Sequence, residues 1–284
     1  MSARDNTLAR VLASGENLIM DTPALPLVHI TCTGGVCTIT LDDPSRRNAL
    51  GTALFEQFEH ALAQAHETAN RGEIIVVVIR ATGRAFCSGF DLAQCVQNHE
   101  TLAQFVRRLA AITRVIREMP AIVVAQVQGA ALAGGCAIVA ACDIVCASEQ
   151  ATFGYPVHRI GISPAVSLPT LMATVGCGGA RTLTLSGEIV DARRAKELGL
   201  VFTLSPDADM LDASVAALAR ELSAKPPAAL RATKAWLNHV DGTHSSQSLG
   251  SRAHDVTEAT AALAATDESR LLLAHFWNRR KGTD

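Results

Sequence analysis

No apolar run in this sequence is both long and unbroken enough to cross a bilayer, because glycines and polar residues interrupt each one. No transmembrane helix is expected. The opening stretch MSARDNTLARVLASGENLIM carries acids and lacks a continuous apolar segment, which argues against a secretory signal. An excess of one charge is missing too. With 25 Lys and Arg against 27 Asp and Glu, the net charge of −2 leaves no broad basic field to hold a nucleic-acid backbone. A local basic patch can still hold one phosphorylated ligand. The eight cysteines, Cys32, Cys37, Cys87, Cys95, Cys136, Cys142, Cys146 and Cys177, include no Cys-x-x-Cys pair and mostly lie in apolar runs. They read as reduced, buried thiols of a cytoplasmic protein. Aromatic residues are only 4% of the chain while hydrophobic residues reach 49%, so aliphatic side chains must fill the core. A length of 284 residues suffices for one large α/β domain with a helical appendage.

Residues 1–26, ending in the proline-marked DTPALP, read as an N-terminal extension. From Leu27, LVHITCTGGVCTITLDD alternates apolar and polar residues on both sides of Gly34-Gly35, which predicts a tight hairpin. A helix is expected from Thr52 to Thr68. The β-branched run EIIVVVIRA then predicts a strand buried on both faces, and AIVVAQVQG and DIVCAS repeat that signal around a helix over Leu102 to Glu118. Strand and helix thus alternate as in an α/β core. Beyond Pro164 the strand signal fades, and helical patterns fill most of the remainder, including ADMLDASVAALARELSA and PAALRATKAWLNHV. We divide the chain into the extension, a core over residues 27–205 and a helical region over 206–284, with no low-complexity linker and no internal repeat.

Three familiar site signatures fail. GRAFCSGFDL, residues 83–92, has Phe86 where a nucleophile elbow needs its first glycine. No phosphate loop occurs, and GCGGAR at 176–181 has Arg181 at the last glycine position of a dinucleotide fingerprint with no strand before it. What GRAFCSGFDL does offer is placement. It follows a buried strand and precedes a helix whose first turn holds Asp91 and Gln94, spaced like a capping box. A second loop, QGAALAGGCAIVAACD, follows the next buried strand and carries Gly134-Gly135 into a small-residue helix. Backbone N–H donors from two neighbouring strand-end loops can converge on a carbonyl oxygen. On spacing alone, the same glycines serve equally as turn and helix-packing residues.

Four blocks, PSRRNAL at 44–50, GRAFCSGFDL at 83–92, QGAALAGGCAIVAACDIVCAS at 128–148 and LSGEIVDARRAKELGLV at 185–201, resemble the successive signatures of the enoyl-CoA hydratase/isomerase, or crotonase, superfamily. Their order and spacing agree, and the likeness runs from Leu27 to the C-terminus. The resemblance implies an α/β fold with a crotonase-like ββα spiral core, a helical C-terminal region that trimerises, and a homotrimer or dimer of trimers. It implies an acyl-CoA substrate whose thioester carbonyl is clasped by the backbone N–H groups of Phe90 and Gly134. It needs no metal and no cofactor beyond the coenzyme A of the substrate. Arg47, Ala49 and Leu50, the stretch holding Ala85, Ser88, Asp91 and Leu92, and Gly135, Ala137 and Val157 would border CoA or the acyl group. The basic NRRK at 278–281 would add contacts to the nucleotide, or be a solvated helix end.

The family pattern then breaks. Relatives that hydrate an enoyl thioester use two glutamates as acid and base. Here Ala137 stands three residues after the oxyanion glycine, and Val157 follows Pro156 where the second acid belongs. The aspartate of the family's dehalogenase branch is matched by Ala165. His158 is the candidate replacement base, with Tyr155, Arg159 and Ser163 nearby, although a neighbour of Val157 on an extended segment faces the other way. Cys87 and Ser88 lack an identifiable base. Three functions stay open: an acyl-CoA lyase or isomerase with unusual acid–base groups, a thioester or C–C bond hydrolase, and a non-catalytic acyl-CoA-binding protein.

Overall fold

The computed structural model describes residues 26–242 and 250–281. The expected extension over residues 1–26 lies almost wholly outside them, as do the side chains of Arg280 and Lys281 in NRRK.

Two strands open the fold, β1 (Val28–Thr33) and β2 (Val36–Leu41), paired antiparallel with Thr33 opposite Val36. Gly34 and Gly35 form the turn at φ +57° and +78°, two successive left-handed residues that suit the twist of a two-residue hairpin. After α1 (Thr52–Asn70), three successive passes each lay down one longer strand and one short one: β3 (Val76–Ala81) with β4 (Ala85–Cys87), β5 (Ile122–Val127) with β6 (Ala130–Leu132), and β7 (Ile144–Ser148) with β8 (Thr152–Gly154). Helices α2 (Leu92–Gln97) and α3 (His99–Glu118) close the first pass, α4 (Gly134–Ala141) the second and α5 (Leu168–Ser186) the third. This is the ββα spiral that the family resemblance implies.

The longer strands form a six-stranded sheet in the order β1-β2-β3-β5-β7-β10, where β10 is Thr203–Ser205. The short strands form a second sheet, β4-β6-β8-β9, with β9 at Ile189–Asp191. β3, β5 and β7 run parallel and are buried on both faces, which is why their sequences show no alternation. The main core lies between the sheets and α1, α3 and α4, with Phe55, Phe58, Ile79, Phe86 and Ile138 fully buried.

The C-terminal third contains α6 (Ala192–Glu197), α7 (Ala208–Ser223), α8 (Pro227–Val240), α9 (Gly250–Ala264) and α10 (Asp267–Lys281). α7 covers the outer face of the large sheet, where Leu211, Val215 and Leu222 meet Val76, Val78 and Val124. α9 and α10 fold back on their own chain, α9 against α3 and α10 against α2 and the 3-10 turn Pro156–Ile160. Lys234 of α8 is buried, and its Nζ donates to Asp143 Oδ2 at 2.7 Å and to the Ala121 carbonyl at 3.0 Å. No helix among the described residues is long and apolar enough to cross a membrane.

Two readings of the cysteines need correction. Cys32 and Cys37 face each other in register across the hairpin and form a disulfide, and Cys177 is exposed. Cys87, Cys95, Cys136, Cys142 and Cys146 are buried free thiols, as expected.

Candidate active site

β4 and β6 run parallel with Cys87 opposite Ala131, so the segments leaving their C-terminal ends emerge side by side. The first turns at Gly89, whose φ of +94° suits glycine. A Cβ at Gly89 would meet Ala133 Cβ at 3.0 Å and lie 3.7 Å from the Gly134 nitrogen, which measures how closely the two segments approach. The second enters α4 through Ala133, a non-glycine residue at φ +50° and ψ −113°. Such a backbone costs on the order of 1–3 kcal/mol and persists only where its surroundings hold it. Here the Ala133 N–H donates to the Gly154 carbonyl at 2.8 Å. Gly135 presses on the main chain of Cys87, where an added Cβ would collide with the carbonyl oxygen and stand 2.8 Å from Cys87 Cβ. The start of α4 is therefore locked to the end of β4.

Phe90 and Gly134 border a single cavity of about 150 Å³. Among the described residues, no hydrogen bond takes up either of their N–H groups. The Phe90 ring packs beside Phe55 and Phe105, with centroids 6.2 and 5.8 Å away, and this anchors the loop that carries its N–H. Leu92, Val106, Leu109, Val157, Ile160 and Val166 make most of the wall apolar. Hydroxyls of Ser88, Tyr155, Ser163, Ser167 and Thr260 supply its polarity, and no acid, histidine, lysine or arginine lines it among the described residues.

The segment expected to border CoA is bonded to the first loop through the backbone. The Ser88 N–H donates to the Arg47 carbonyl at 3.2 Å, Leu50 N–H to Gly89 O at 2.8 Å, and Asp91 N–H to Leu50 O at 3.1 Å. Asn48, fully buried at φ +52°, pins the segment from inside. Its Oδ1 accepts the Asp43 N–H at 2.7 Å, while Nδ2 donates to the carbonyls of Thr82 and Ala85 at 3.0 and 2.9 Å. Arg47 is exposed with no ion pair among the described residues, whereas Arg46 is held by Asp43 at 2.8 Å and by Asp91 at 3.4 Å. Ala49 is half-buried. Leu50 and Ala85 are buried, so their side chains shape the loop from within instead of facing a ligand. Asp91 caps α2 by accepting the Ala93 N–H at 3.1 Å. Gln94 reaches the Asp91 carboxylate at 2.9 Å and not its N–H, because Leu50 O already holds that group.

Two expected site residues are corrected. His158 is exposed and outside the cavity wall, its Nδ1 lying 3.5 Å from where a Cβ of Gly187 would be. The 3-10 turn at Pro156 sends Val157 inward and His158 outward. Ala137 is fully buried in the main core and does not border the cavity, whereas Val157 does. The Cys87 thiol is pushed up to about 12 by burial and Cys136 to about 11, which leaves both protonated and unreactive near neutral pH. Among the described residues no cluster of three or more metal-ligating side chains occurs.

Tyr155 belongs to the cavity wall. It is 1% exposed, and its hydroxyl is buried beside the Cys136 thiol and the Ser167 hydroxyl. Burial raises its pKa well above 10, while the nearby Cys136 raises it further and the Ser167 hydroxyl lowers it. α9 and α10 contribute Thr260 and Phe276 to the wall, from more than a hundred residues away. No local motif could have signalled them.

The sequence profile of the Enoyl-CoA hydratase/isomerase family matches residues 31–281. The chain is 34% identical over 206 residues to the 2,3-dehydroadipyl-CoA hydratase of Escherichia coli strain K12, covering 70% of this chain and 76% of that protein. Its fold resembles the crystal structure of an enoyl-CoA hydratase/isomerase from Xanthobacter autotrophicus Py2, with TM-score 0.78, 30% identity, and coverage of 90% of this chain and 93% of that one. It also resembles an enoyl-CoA hydratase from Mycobacterium avium, with TM-score 0.75, 33% identity, and coverage of 89% and 96%. Fold, ordered motifs and relatives agree, and the chain belongs to the enoyl-CoA hydratase/isomerase family of the crotonase superfamily.

Proposed function

We propose that this protein binds an acyl-CoA thioester, receives its carbonyl oxygen on the Phe90 and Gly134 N–H groups, and stabilises the enolate that forms there, as a lyase or isomerase without the two-glutamate machinery. One observation carries this reading: Phe90 and Gly134, on adjacent strand-end loops, border one apolar cavity, and among the described residues no hydrogen bond consumes their N–H groups. Such donors act most strongly where water is excluded and charge develops. The acyl chain runs along the aliphatic wall, and the exposed Arg47 guanidinium suits a CoA phosphate. No cofactor is required beyond the substrate's own CoA. Ala137 and Val157 cannot transfer protons, so water addition by paired carboxylates is closed to this chain.

A second reading is favoured by the cavity wall. With no acid, histidine or amine bordering it among the described residues, acyl-CoA binding without turnover fits the same geometry, and hydrolysis of a thioester or C–C bond would need its base from elsewhere. Assembly as a trimer or dimer of trimers is part of the proposal. Exposed Phe202 and Leu237 border one recess of about 640 Å³ away from the active-site cavity, a surface that suits a second copy of the chain. The buried free thiols suit a reducing, cytoplasmic setting, against which the Cys32–Cys37 disulfide counts.

The deciding experiment is a panel of acyl-CoA thioesters followed by mass spectrometry for hydration, isomerisation and hydrolysis, with calorimetry on the same panel. Turnover of any member supports the enzyme, binding without turnover supports the second reading, and failure to bind every thioester and CoA itself refutes both.

A further inference from the structure

A trans peptide points its N–H opposite to its own carbonyl, so whatever holds the carbonyl aims the donor. The Gly134 N–H belongs to the Ala133–Gly134 peptide, whose carbonyl accepts the Ala137 N–H at 3.0 Å as the first hydrogen bond of α4. That bond turns the Gly134 N–H out of the N-terminal end of the helix. The Phe90 N–H belongs to the Gly89–Phe90 peptide, whose carbonyl accepts the Leu50 N–H at 2.8 Å. Leu50 bonds again on the other side of Phe90, where its carbonyl accepts the Asp91 N–H at 3.1 Å, so Phe90 presents its own N–H away from residue 50.

Residues 47–51 therefore aim the first donor, yet they belong to no helix or strand, and Leu50 makes only an isolated bridge to Phe90. Asn48 is what fixes them. Its Oδ1 accepts the Asp43 N–H, and its Nδ2 donates to the carbonyls of Thr82 and Ala85, on either side of the turn between β3 and β4. Both donors and the acceptor of the amide are thus used, and the side chain is fully buried. The segment is tied to the start of β4 and clasps the loop at the end of the same strand. Among the described residues, Arg47, Asn48 and Ala133 are the non-glycine residues with positive φ, and all three lie on the segments that aim or carry the two donors. Backbone of this kind persists where its surroundings over-determine it, and it gathers at functional sites. We infer that Asn48 is a positioning residue: by holding the Leu50 N–H against the Gly89 carbonyl, it aims the Phe90 N–H at the thioester oxygen. This rests on the acyl-CoA reading above and names the side chain on which one of its two donors depends.

The test is calorimetry with hexanoyl-CoA and with free CoA on the full-length protein, because only the thioester presents a carbonyl to the donors. Asn48→Gly keeps a residue at ease with positive φ and removes the three side-chain hydrogen bonds. Asn48→Asp keeps the shape and turns acceptors toward two carbonyl oxygens. In both, the preference for hexanoyl-CoA over CoA should fall about 2- to 10-fold, as for one lost hydrogen bond. Lys234→Met, which removes a buried ion pair of α8 and none of the bonds around the loop, should keep that preference while lowering Tm. Hexanoyl-CoA labelled with ¹³C at the thioester carbonyl gives a second readout: its infrared stretch, lowered on binding to the wild type, should return part of the way to the free value in the Asn48 variants. Hydrogen exchange on the wild type needs no substitution, and the Asn48 side-chain amide and the Leu50 N–H should open with the same protection. An unchanged preference in both Asn48 variants, equal losses of hexanoyl-CoA and CoA affinity, or a Leu50 N–H that exchanges freely while the Asn48 amide stays protected overturns the assignment. If the wild type prefers hexanoyl-CoA and the variants keep that preference, only the role of Asn48 falls. If the wild type shows neither a preference nor a lowered stretch, the oxyanion reading falls and takes this assignment with it.

Discussion

Gly135→Ala should damage the proposed oxyanion site more than Gly134→Ala, although Gly134 carries the N–H and Gly135 does not. At Gly134 the nearest obstacle to a new Cβ is Leu50 Cδ1 at 2.8 Å, followed by Leu109 Cδ2 at 3.5 Å, both branch ends that can turn. At Gly135 the obstacles belong to Cys87: its carbonyl oxygen, its Cβ at 2.8 Å and its carbonyl carbon at 3.0 Å. That main chain is part of β4, which is paired to β6 and cannot yield alone. Relief must come from α4 moving off β4, which carries the Gly134 donor away from the Phe90 donor. Overpacking of this kind costs about 1–3 kcal/mol, or roughly 2–10 °C in Tm for a chain of this size. One lost hydrogen bond weakens thioester binding by about 2- to 10-fold, and a displacement on the order of 1 Å at a catalytic donor lowers turnover by about 10²-fold. Calorimetry with a thioester and with free CoA separates the effects, because only the thioester presents a carbonyl to the two donors. Gly134→Pro, which deletes the donor itself, should abolish the advantage of thioester over CoA. Wild-type Tm and thioester affinity in Gly135→Ala, or a larger loss in Gly134→Ala than in Gly135→Ala, would refute the reasoning.

Hydration of crotonyl-CoA should stay below about 1 s⁻¹, since each absent acid–base group is worth about 10²- to 10⁴-fold; ordinary turnover in a spectrophotometric assay would show that another group replaces them. At pH 8, iodoacetamide should label exposed Cys177 quickly and spare Cys87, whose thiol, pushed up to about 12 by burial, is only about 10⁻⁴ thiolate there; rapid labelling of Cys87 in a peptide digest would reopen it as a nucleophile. Lys234→Met leaves the Asp143 carboxylate without its buried partner and should cost about 3–5 kcal/mol in denaturant unfolding. Burial also holds the Lys234 ammonium below its ordinary 10.5, so between the folded value and 10.5 the unfolded chain binds the extra proton and this group's contribution to stability rises with pH. The gap between wild type and Lys234→Met should therefore widen from pH 7 towards pH 10, and a narrowing gap would mean that the Asp143 charge outweighs desolvation.

The elements legible in the sequence are those whose burial follows one regular pattern along their length, whether uniform, alternating or helical. EIIVVVIRA and AIVVAQVQG announce β3 and β5 because both faces of each strand are covered, and Gly34-Gly35 announces the hairpin because two left-handed residues are needed at that turn. The second sheet was not legible. β4, β6, β8 and β9 have three residues each, too few for any period, and they are strands only because the spiral brings them beside one another. The Cys32–Cys37 disulfide was missed for a similar reason, since hairpin register and not a spacing motif sets the two side by side. At the site, the two N–H-bearing loops were readable as strand ends with glycines. The opposition of Val157 and His158 was readable from their adjacency, although a 3-10 turn and not an extended segment produces it, and the closing wall from α9 and α10 has no local signal at all.

That contrast bears on how one fold can serve different reactions. A main-chain N–H survives substitution of the side chain at its own position, so the pair at Phe90 and Gly134 depends on packing: Gly89 against Ala133, Gly135 against Cys87, and Asn48 beneath the first loop. Of the two vacant acid–base positions, Ala137 is buried on α4 and shares that packing, whereas Val157 does not. Val157 can lose a carboxylate without moving either loop, because its backbone belongs to a separate 3-10 turn. On the proposed reading, thioester polarisation and any proton transfer from position 157 would sit on different parts of the chain, so that the second could change while the first stays. In this protein the cavity beside the two N–H groups offers hydroxyls and aliphatic carbon. An enolate there would, on that reading, meet no carboxylate or strong acid among the described residues, of which Tyr155 is the ionisable side chain in the wall. Chemistry at this cavity would then run on neutral donors from the described residues.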